Sequence, residues 1–275
     1  MRRIVHISDI HFGQADLGIV ERVVETINDI APDLTVLSGD LTQRAKKAEF
    51  KAARRFLDRL PQPLIVVPGN HDVPLYNVFD RFVNPLEKYR KFISDDLMPF
   101  YADEEMAVLG INTARSLTIK GGRINEEQIN AIKDKMDGLS DKMMKIIVTH
   151  HPFDLPEGFD EDDIVGNAAE AMPVISESGA DIFLAGHLHV SHIVNSARRY
   201  KFDNGRAALI IQAGTAASVR VRGETNSFNL LEFEHPQLVV KRFECESARS
   251  GFVAESSQKF DQTPDGWAGG MRTSL

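Results

Sequence analysis

Six short runs of apolar, largely β-branched residues recur along the chain, at 3–7, 34–37, 64–67, 107–111, 145–148 and 181–184. A run with no polar alternation has both faces buried, as the strands of a covered parallel sheet do. Between the first two runs Ile19, Val23, Ile27 and Ile30 fall at helical spacing, and between the next two Ala45, Ala48, Ala52, Phe56 and Leu60 do the same. The first third of the chain therefore reads as βαβαβ. A later helix starts at Asn125, whose side chain can cap it while Gln128 reaches back, and it carries Ile129 and Ile132 inward. Another runs from about Ala168 and stops at Gly179.

After Gly186 the helical pattern gives way to extended segments at 192–203, 206–212, 227–234 and 238–244, which read as antiparallel β. Asn204-Gly205 is a two-residue hairpin signal, and Pro236-Gln237 supplies a second turn. These strands are expected to form a second sheet packed on the first, with helices outside, giving one α/β sandwich. Residues 1–253 form the catalytic domain in this reading. Residues 254–275 are rich in Ser, Gly, Asp and Gln and poor in apolar side chains, so a loosely attached or disordered tail without a catalytic role is expected there.

Composition narrows the function classes. With 43% hydrophobic and 26% charged residues, the chain has no apolar stretch near the roughly 18 residues needed to cross a bilayer. The N-terminus passes from two arginines straight into a strand-like run, without the apolar core of a signal peptide, which points to the cytoplasm. The single cysteine, Cys245, has no partner for an internal disulfide and reads as a passive, half-buried strand residue. A net charge of −8 repels nucleic-acid backbone and anionic membranes, so no stable nucleic-acid polymer binding and no membrane partner are expected. A small phosphorylated molecule is easier to accept. Oligomeric state is left open.

Five runs end in residues that can hold a metal: Asp9 and His11 after the first, Asp40 after the second, Asn70-His71-Asp72 after the third, His150-His151 after the fifth, and His187 and His189 after the last. In an open parallel sheet the carboxyl ends of strands face a common crevice where ligands bind. Asp9 and His11 are two apart, like His187 and His189, so in extended chain each pair projects to one side. Glycines precede Asp40, Asn70 and His187, allowing tight turns and close backbone approach. Asp9, His11, Asp40, Asn70, His150, His187 and His189 make seven donors; if the Asp40 carboxylate bridges, each of two ions receives four. Oxygen and imidazole donors without thiolate suit Mn²⁺, Fe or Zn²⁺ in an open site. Two divalent ions against two aspartates leave about two positive charges, enough to attract a phosphate to an acidic protein.

The segments S-D-I-H (8–11), G-D (39–40), G-N-H-D (69–72), H-H-P (150–152) and G-H-L-H (186–189) occur in the order of the calcineurin-like metallophosphoesterases, which the chain resembles over roughly residues 3 to 245. The resemblance implies a four-layer αββα sandwich with two mixed sheets. It also implies a dinuclear centre, in which Asp9, His11, Asp40 and His189 hold one ion and Asp40, Asn70, His150 and His187 the other. His150 is preferred to His151 because the family pattern is His, any residue, Pro. The implied chemistry is hydrolysis of a phosphate ester by a metal-bridging hydroxide, with His71 stabilising or protonating the leaving oxygen and Asp72 holding the His71 ring. The layout, including G-T-A-A-S (214–218) and residues 226–231, is similar to bacterial class III cyclic nucleotide phosphodiesterases and points to a small phosphodiester. A phosphomonoesterase or a nuclease on the same centre is the alternative within the fold, and a non-catalytic scaffold is the alternative outside enzymology.

Other residues take blander readings. His6 lies inside a strand and reads as a packed core imidazole; His151 orients its loop; His192 is a solvated strand position or a substrate contact; His235 sits passively in a turn. Tyr76, Phe79, Phe82, Tyr89 and Phe92 have broadly helical spacing and read as a core stripe. The pairs Arg54-Arg55 and Arg198-Arg199 read as solvated faces, whereas Arg220 and Arg222 are candidates to reach the crevice.

Overall fold

The computed structural model describes residues 1–275 except 76–77, 117–120, 201–206, 220–223 and 265. In chain order the elements are β1 (Arg2–Ile7), α1 (Leu17–Ile30), β2 (Leu34–Leu37), α2 (Lys47–Leu57), β3 (Leu64–Val66), α3 (Val78–Val83), α4 (Glu87–Phe92), β4 (Phe100–Ala102), β5 (Met106–Gly110), α5 (Glu126–Met136), β6 (Met144–Val148), α6 (Ala168–Glu177), β7 (Ile182–Ala185), β8 (His192–Asn195), β9 (Leu209–Gln212), β10 (Asn226–Glu234), β11 (Gln237–Cys245), β12 (Val253–Thr263) and β13 (Gly266–Ser274).

The strands form two mixed sheets. The seven-stranded sheet has the order β13-β12-β11-β10-β1-β2-β3, with β1, β2 and β3 parallel and the rest antiparallel. The six-stranded sheet has the order β4-β5-β6-β7-β9-β8, with β5, β6, β7 and β9 parallel and antiparallel strands at both edges. Successive residues of a strand point to opposite faces, so unbroken apolar runs serve two cores each. In β6 and β7, Ile146, Val148, Ile182 and Leu184 enter a core shared with Ile4, Leu34, Val36 and Ile65 of the other sheet, while Ile147 and Phe183 face α5 and α6. Val5, Ile7 and Leu37 face α1 and α2 in turn, through Val23, Ile27, Phe50 and Phe56. The layers are thus helix, sheet, sheet, helix, as the motif order implied.

Local signals account for the helix ends. Asn125 Oδ1 accepts from Gln128 N at 2.9 Å while Asn125 N donates to Gln128 Oε1 at 3.1 Å, the reciprocal cap expected for α5. Gly179 follows the end of α6 with φ 81°. Pro85 falls between α3 and α4 and breaks the aromatic stripe. Tyr89 is buried and donates to Val66 O at 2.9 Å, and Phe92 packs beside it, but Phe82 is 55% exposed; Tyr76 and the side chain of Phe79 lie outside the described residues.

Three expectations change. Residues 254–275 are not a loose tail: β12 pairs with β11, and β13 with β12. Few apolar residues suffice because Phe260 and Trp267 both enter the inter-sheet core, Trp267 Nε1 donates to Asp181 O at 3.1 Å, and ladder hydrogen bonds hold the polar remainder. The chain after Gly186 is not purely antiparallel, since β9 lies parallel to β7. β9 is buried along its whole length and takes the interior place, leaving half-buried β8 as the edge. The segment read as 192–203 stops at Asn195, where Asn195 Oδ1 accepts from Ala197 N at 2.9 Å and opens a tight turn. The Asn204-Gly205 hairpin lies outside the described residues, and the β10–β11 turn falls at His235-Pro236. No helix of the described residues is long and apolar enough to cross a membrane.

Candidate metal centre

The five strand ends that carry the candidate ligands come from both sheets. β1, β2 and β3 deliver Asp9, His11, Asp40 and Asn70, whereas β6 and β7 deliver His150, His187 and His189. The crevice therefore lies between the carboxyl edges of two sheets, not over one. In the first sheet parallel pairing continues past the strands: Asp9 N donates to Gly39 O at 3.1 Å, His11 N to Asp40 O at 2.9 Å and Phe12 N to Leu41 O at 2.8 Å. Two bonds tie the second sheet on. His187 N donates to Asp9 Oδ2 at 3.0 Å, and His150 Nδ1 donates to Ser38 O at 2.8 Å. Side chains at Gly69 and Gly186 would collide, the first with the Asp40 carboxylate and backbone, the second with Ser8 Oγ and Asp9 Oδ2. Both glycines are required by close approach.

Asp9, His11, Asp40, His187 and His189 have φ of 55°, 53°, 51°, 74° and 63°, five of the eight left-handed non-glycine residues among those described. The D-x-H and H-x-H pairs converge through these turns rather than through extended chain. Left-handed backbone in ordinary residues costs on the order of 1–3 kcal/mol each and collects at functional sites.

All seven expected ligands meet. Nε2 of His11 lies 3.4 Å from Asp9 Oδ1, 3.7 Å from Asp40 Oδ2 and 3.2 Å from His189 Nε2, and His189 Nε2 lies 3.3 Å from Asp9 Oδ1. Donor atoms of these four residues lie within 4.8 Å of one another. A second group follows: Asn70 Oδ1 is 3.0 Å from His150 Nε2 and 3.1 Å from His187 Nδ1, and His150 Nε2 is 3.4 Å from Asp40 Oδ2. The same oxygen of Asp40 faces both groups.

The donor set fits cations. Asp9 Oδ1 is buried without a hydrogen-bond partner, and the Nε2 atoms of His11 and His189 face each other across the first group. Buried lone pairs converging without enough donors are costly unless a cation accepts them. Oxygen and imidazole, with no sulfur nearby, suit borderline and hard ions. Burial alone would raise the Asp40 pKa, but the imidazoles of His150, His71 and His11 outweigh it and hold the carboxyl below its usual range. Asp9 is likewise held well below, against burial, by His189, His11 and His150. Burial disfavours the His150 imidazolium, yet Asp40 overrides it and lifts its pKa to about 9; His187, where burial dominates, is lowered.

His71 stacks edge-to-face on His11, with ring centroids 4.9 Å apart. Its Nδ1 faces the main-chain carbonyl of Gln43 at 2.9 Å rather than Asp72. The Asp72 carboxylate is turned away to accept from Gly69 N, Leu41 N, Thr42 N and Thr42 Oγ1 at 2.9–3.2 Å. It braces the two ligand loops, and burial, then Asp40, raises its pKa to about 6.

His6 is a core imidazole bonded to Ser38 Oγ at 2.9 Å, and burial lowers its pKa to about 3. His151 meets Thr113 Oγ1 through Nδ1 at 2.8 Å and stacks near His187, with centroids 4.6 Å apart. His192 is half-buried and His235 exposed. Arg54 pairs with Asp58 on an exposed helix face, whereas Arg199 is not a simple solvated charge: it bonds Asp154 at 2.5 Å and Glu161 at 2.7 Å. Arg220 and Arg222 lie outside the described residues. Cys245 is fully buried, donating to Ser247 O. Sequence reasoning missed Gln43 and Asp163, whose Oδ1 is 3.7 Å from His187 Nε2. Asp163 ends an acidic run that resembles any solvated loop, and Gln43 carries no motif.

The chain is similar to the glycerophosphodiester phosphodiesterase GpdQ of Enterobacter lignolyticus, with 27% identity over 189 residues, and spans 62% of that protein's length and 64% of its own. It is similar to the 3′,5′-cyclic adenosine monophosphate phosphodiesterase CpdA of Escherichia coli K12, with 26% identity over 204 residues, 68% of this chain and 69% of that one. In fold it matches the purple acid phosphatase PPD1 of yellow lupin, with a TM-score of 0.68, 13% identity, and coverage of 94% of this chain and 53% of the other. A dimetal phosphatase from Danio rerio gives a TM-score of 0.62 at 15% identity, over 88% of this chain and 95% of that one. The sequence model described as calcineurin-like phosphoesterase matches residues 2–191, which carry all seven ligand candidates, and the chain belongs to that family.

Proposed function

We propose that the chain is a cytoplasmic hydrolase of small phosphodiesters, a cyclic nucleotide among them, working with two metal ions (Mn, Fe or Zn). The observation that carries this reading is the shared vertex: one Asp40 oxygen faces a three-residue group on either side, with Asp9, His11 and His189 on one and Asn70, His150 and His187 on the other. Those residues would hold the ions. Bound there, the ions would supply Lewis acidity and lower the pKa of water from about 15.7 toward 7. The protein's own part is orientation and proton transfer. His150 and His187 are pinned by Ser38 O and Asn70, so their rings keep one pose, and His71 offers Nε2 toward the leaving oxygen because Nδ1 is engaged by Gln43. A cavity of about 1210 Å³, lined by Gly121, Gly122, Asp163, Asn167, Arg199 and Tyr200, adjoins His187 through Asp163 and leaves room for a small leaving group. The names of the phosphodiesterase relatives support the diester class.

The test compares initial rates with added Mn²⁺ on bis(p-nitrophenyl) phosphate, p-nitrophenyl phosphate, 2′,3′- and 3′,5′-cyclic nucleotides and single-stranded DNA, after metal content is measured. Two ions per chain and a preference for small diesters are expected. A preference for the monoester or for DNA overturns the substrate class, and inertness toward every ester in metal-loaded protein makes the chain a scaffold.

A further inference from the structure

The loop after β6 carries a second imidazole beside His150. One donor atom each from His150, His151 and His187 lies within 4.8 Å of the other two, and the three rings pack with centroids 4.6–5.1 Å apart. His150 and His151 are fully buried, and the His187 side chain is 9% exposed. The group contains no carboxylate. A Cβ at Gly122 would run into the His151 ring, so that glycine leaves the ring its place.

A histidine that binds a cation through one nitrogen gives the hydrogen on its other nitrogen to an acceptor, which fixes tautomer and orientation. Each of the three rings faces such an acceptor. His150 Nδ1 lies 2.8 Å from Ser38 O, His151 Nδ1 2.8 Å from Thr113 Oγ1, and His187 Nε2 3.7 Å from Asp163 Oδ1. With the hydrogens on those atoms, the lone pairs fall on Nε2 of His150, Nε2 of His151 and Nδ1 of His187. His150 Nε2 and His187 Nδ1 are also the atoms that face Asn70 Oδ1, at 3.0 and 3.1 Å. An ion held by His150 and His187 therefore has two ways to complete its set of donors: the oxygens of Asp40 and Asn70, or the third imidazole. We propose that the second ion has two alternative seats, and that His151 is the ligand a zinc ion takes in place of Asp40 and Asn70. Three histidines and a water make a four-coordinate zinc site, whereas carboxylate and amide oxygens suit manganese, so the metal selects the seat. The inference rests on the metal-binding part of the reading above and not on hydrolysis.

His151→Phe keeps a ring in place and removes the donor, and Asn70→Ala removes a donor of the oxygen side alone. Chelator competition on the full chain, with Zn²⁺ and Mn²⁺ in turn, separates the two seats. His151→Phe should weaken one of two zinc ions on the order of 100-fold, the upper end of what a lost outer partner costs, and leave manganese binding as in wild type. Asn70→Ala should do the reverse. In ¹⁵N-labelled wild type, saturation with Zn²⁺ should move the Nε2 signal of His151 together with the ring signals of His150 and His187, while His151 Nδ1 keeps its hydrogen. That measurement decides the matter even where His151→Phe fails to fold. Wild-type zinc affinity in His151→Phe, equal losses for both metals in either variant, or His151 signals unmoved by zinc each overturn the second seat. Wild type that takes up no ion sinks the seat and the two-ion reading together. Protein inert toward every ester, with His151 bound to zinc, sinks the hydrolase reading and leaves the seat standing.

Discussion

In the proposed two-ion centre Asp40 is the residue shared by both groups of donors, and its replacement should be distinguishable from that of Asp9. Oδ2 of Asp40 lies 3.7 Å from His11 Nε2 and 3.4 Å from His150 Nε2, whereas among the described residues Asp9 Oδ1 faces His11 and His189 of the first group. Asparagine is the suitable substitution at both sites. It keeps the volume, tolerates the left-handed backbone at φ 51° and 55°, and removes the charge. At a Mn²⁺ concentration a hundredfold above Kd, each ion stabilises the folded chain by about 2.7 kcal/mol, so two independent ions contribute roughly 5 kcal/mol. At about 2–4 °C per kcal/mol for a chain of this size, wild type should gain on the order of 10–20 °C in Tm when loaded. An ion weakened a hundredfold contributes only about 0.4 kcal/mol at the same concentration. Asp9→Asn should therefore keep about half of the wild-type gain and one tightly held ion, and Asp40→Asn almost none of either. Thermal scans with and without Mn²⁺, paired with metal analysis after gel filtration, read this directly. Two ions retained in Asp40→Asn would refute the shared vertex.

Three further outcomes follow from particular contacts. His71→Ala should keep both metals and lose on the order of 10²- to 10⁴-fold in rate on alkyl esters, the usual worth of a general acid; full turnover in metal-replete protein rules that role out. Gly186→Ala drives a methyl into Ser8 Oγ and Asp9 Oδ2, so it should destabilise the protein by about 1–3 kcal/mol and weaken metal uptake, as urea titration and metal analysis would report; unchanged values for both contradict the close approach. Trp267→Ala empties a place in the inter-sheet core and should cost about 3–5 kcal/mol in urea unfolding. A cost under about 0.5 kcal/mol would mean that the C-terminal hairpin is indeed loosely attached.

The alternation of apolar runs and helical patterns was enough to place β1 to β3, β5 to β7, α1, α2, α5 and α6, because a strand buried on both faces and an amphipathic helix each leave a period that needs no tertiary knowledge. The convergence of the seven candidate donors was legible for a related reason: polar side chains at the ends of apolar runs have no other place to go than the edge of the sheets. The hairpin of β12 and β13 was not legible. Edge strands gain most of their hold from backbone bonds to a neighbour, and two aromatic anchors, Phe260 and Trp267, among polar residues leave no period to detect. The exchange of Asp72 for Gln43 at the His71 ring escaped for another reason. Adjacency in sequence suggested a partner, but residues 70–72 wind into a tight turn that sends the Asp72 side chain back toward residues 41 and 42.

The same geometry explains why so much of the site lies in strained backbone. A strand that simply continued past Ile7 would alternate its side chains across the sheet and carry Asp9 and His11 away from His189. Left-handed turns at Asp9, His11 and Asp40 fold those side chains back over the sheet edge. The ladder from Asp9 N to Gly39 O through Phe12 N to Leu41 O keeps the turned residues hydrogen-bonded while they do so. His187 and His189 use the same conformation in the opposite sheet, with His187 N anchored on Asp9 Oδ2. Each strained residue is thus over-determined by a main-chain bond on or beside it, which is the condition under which such strain persists. It also divides the two groups unequally. Asp9, His11 and Asp40 are set by one sheet and need only His189 from the other, whereas Asp40 and Asn70 meet His150 and His187 two against two, so the second group depends more heavily on how the sheets are packed together.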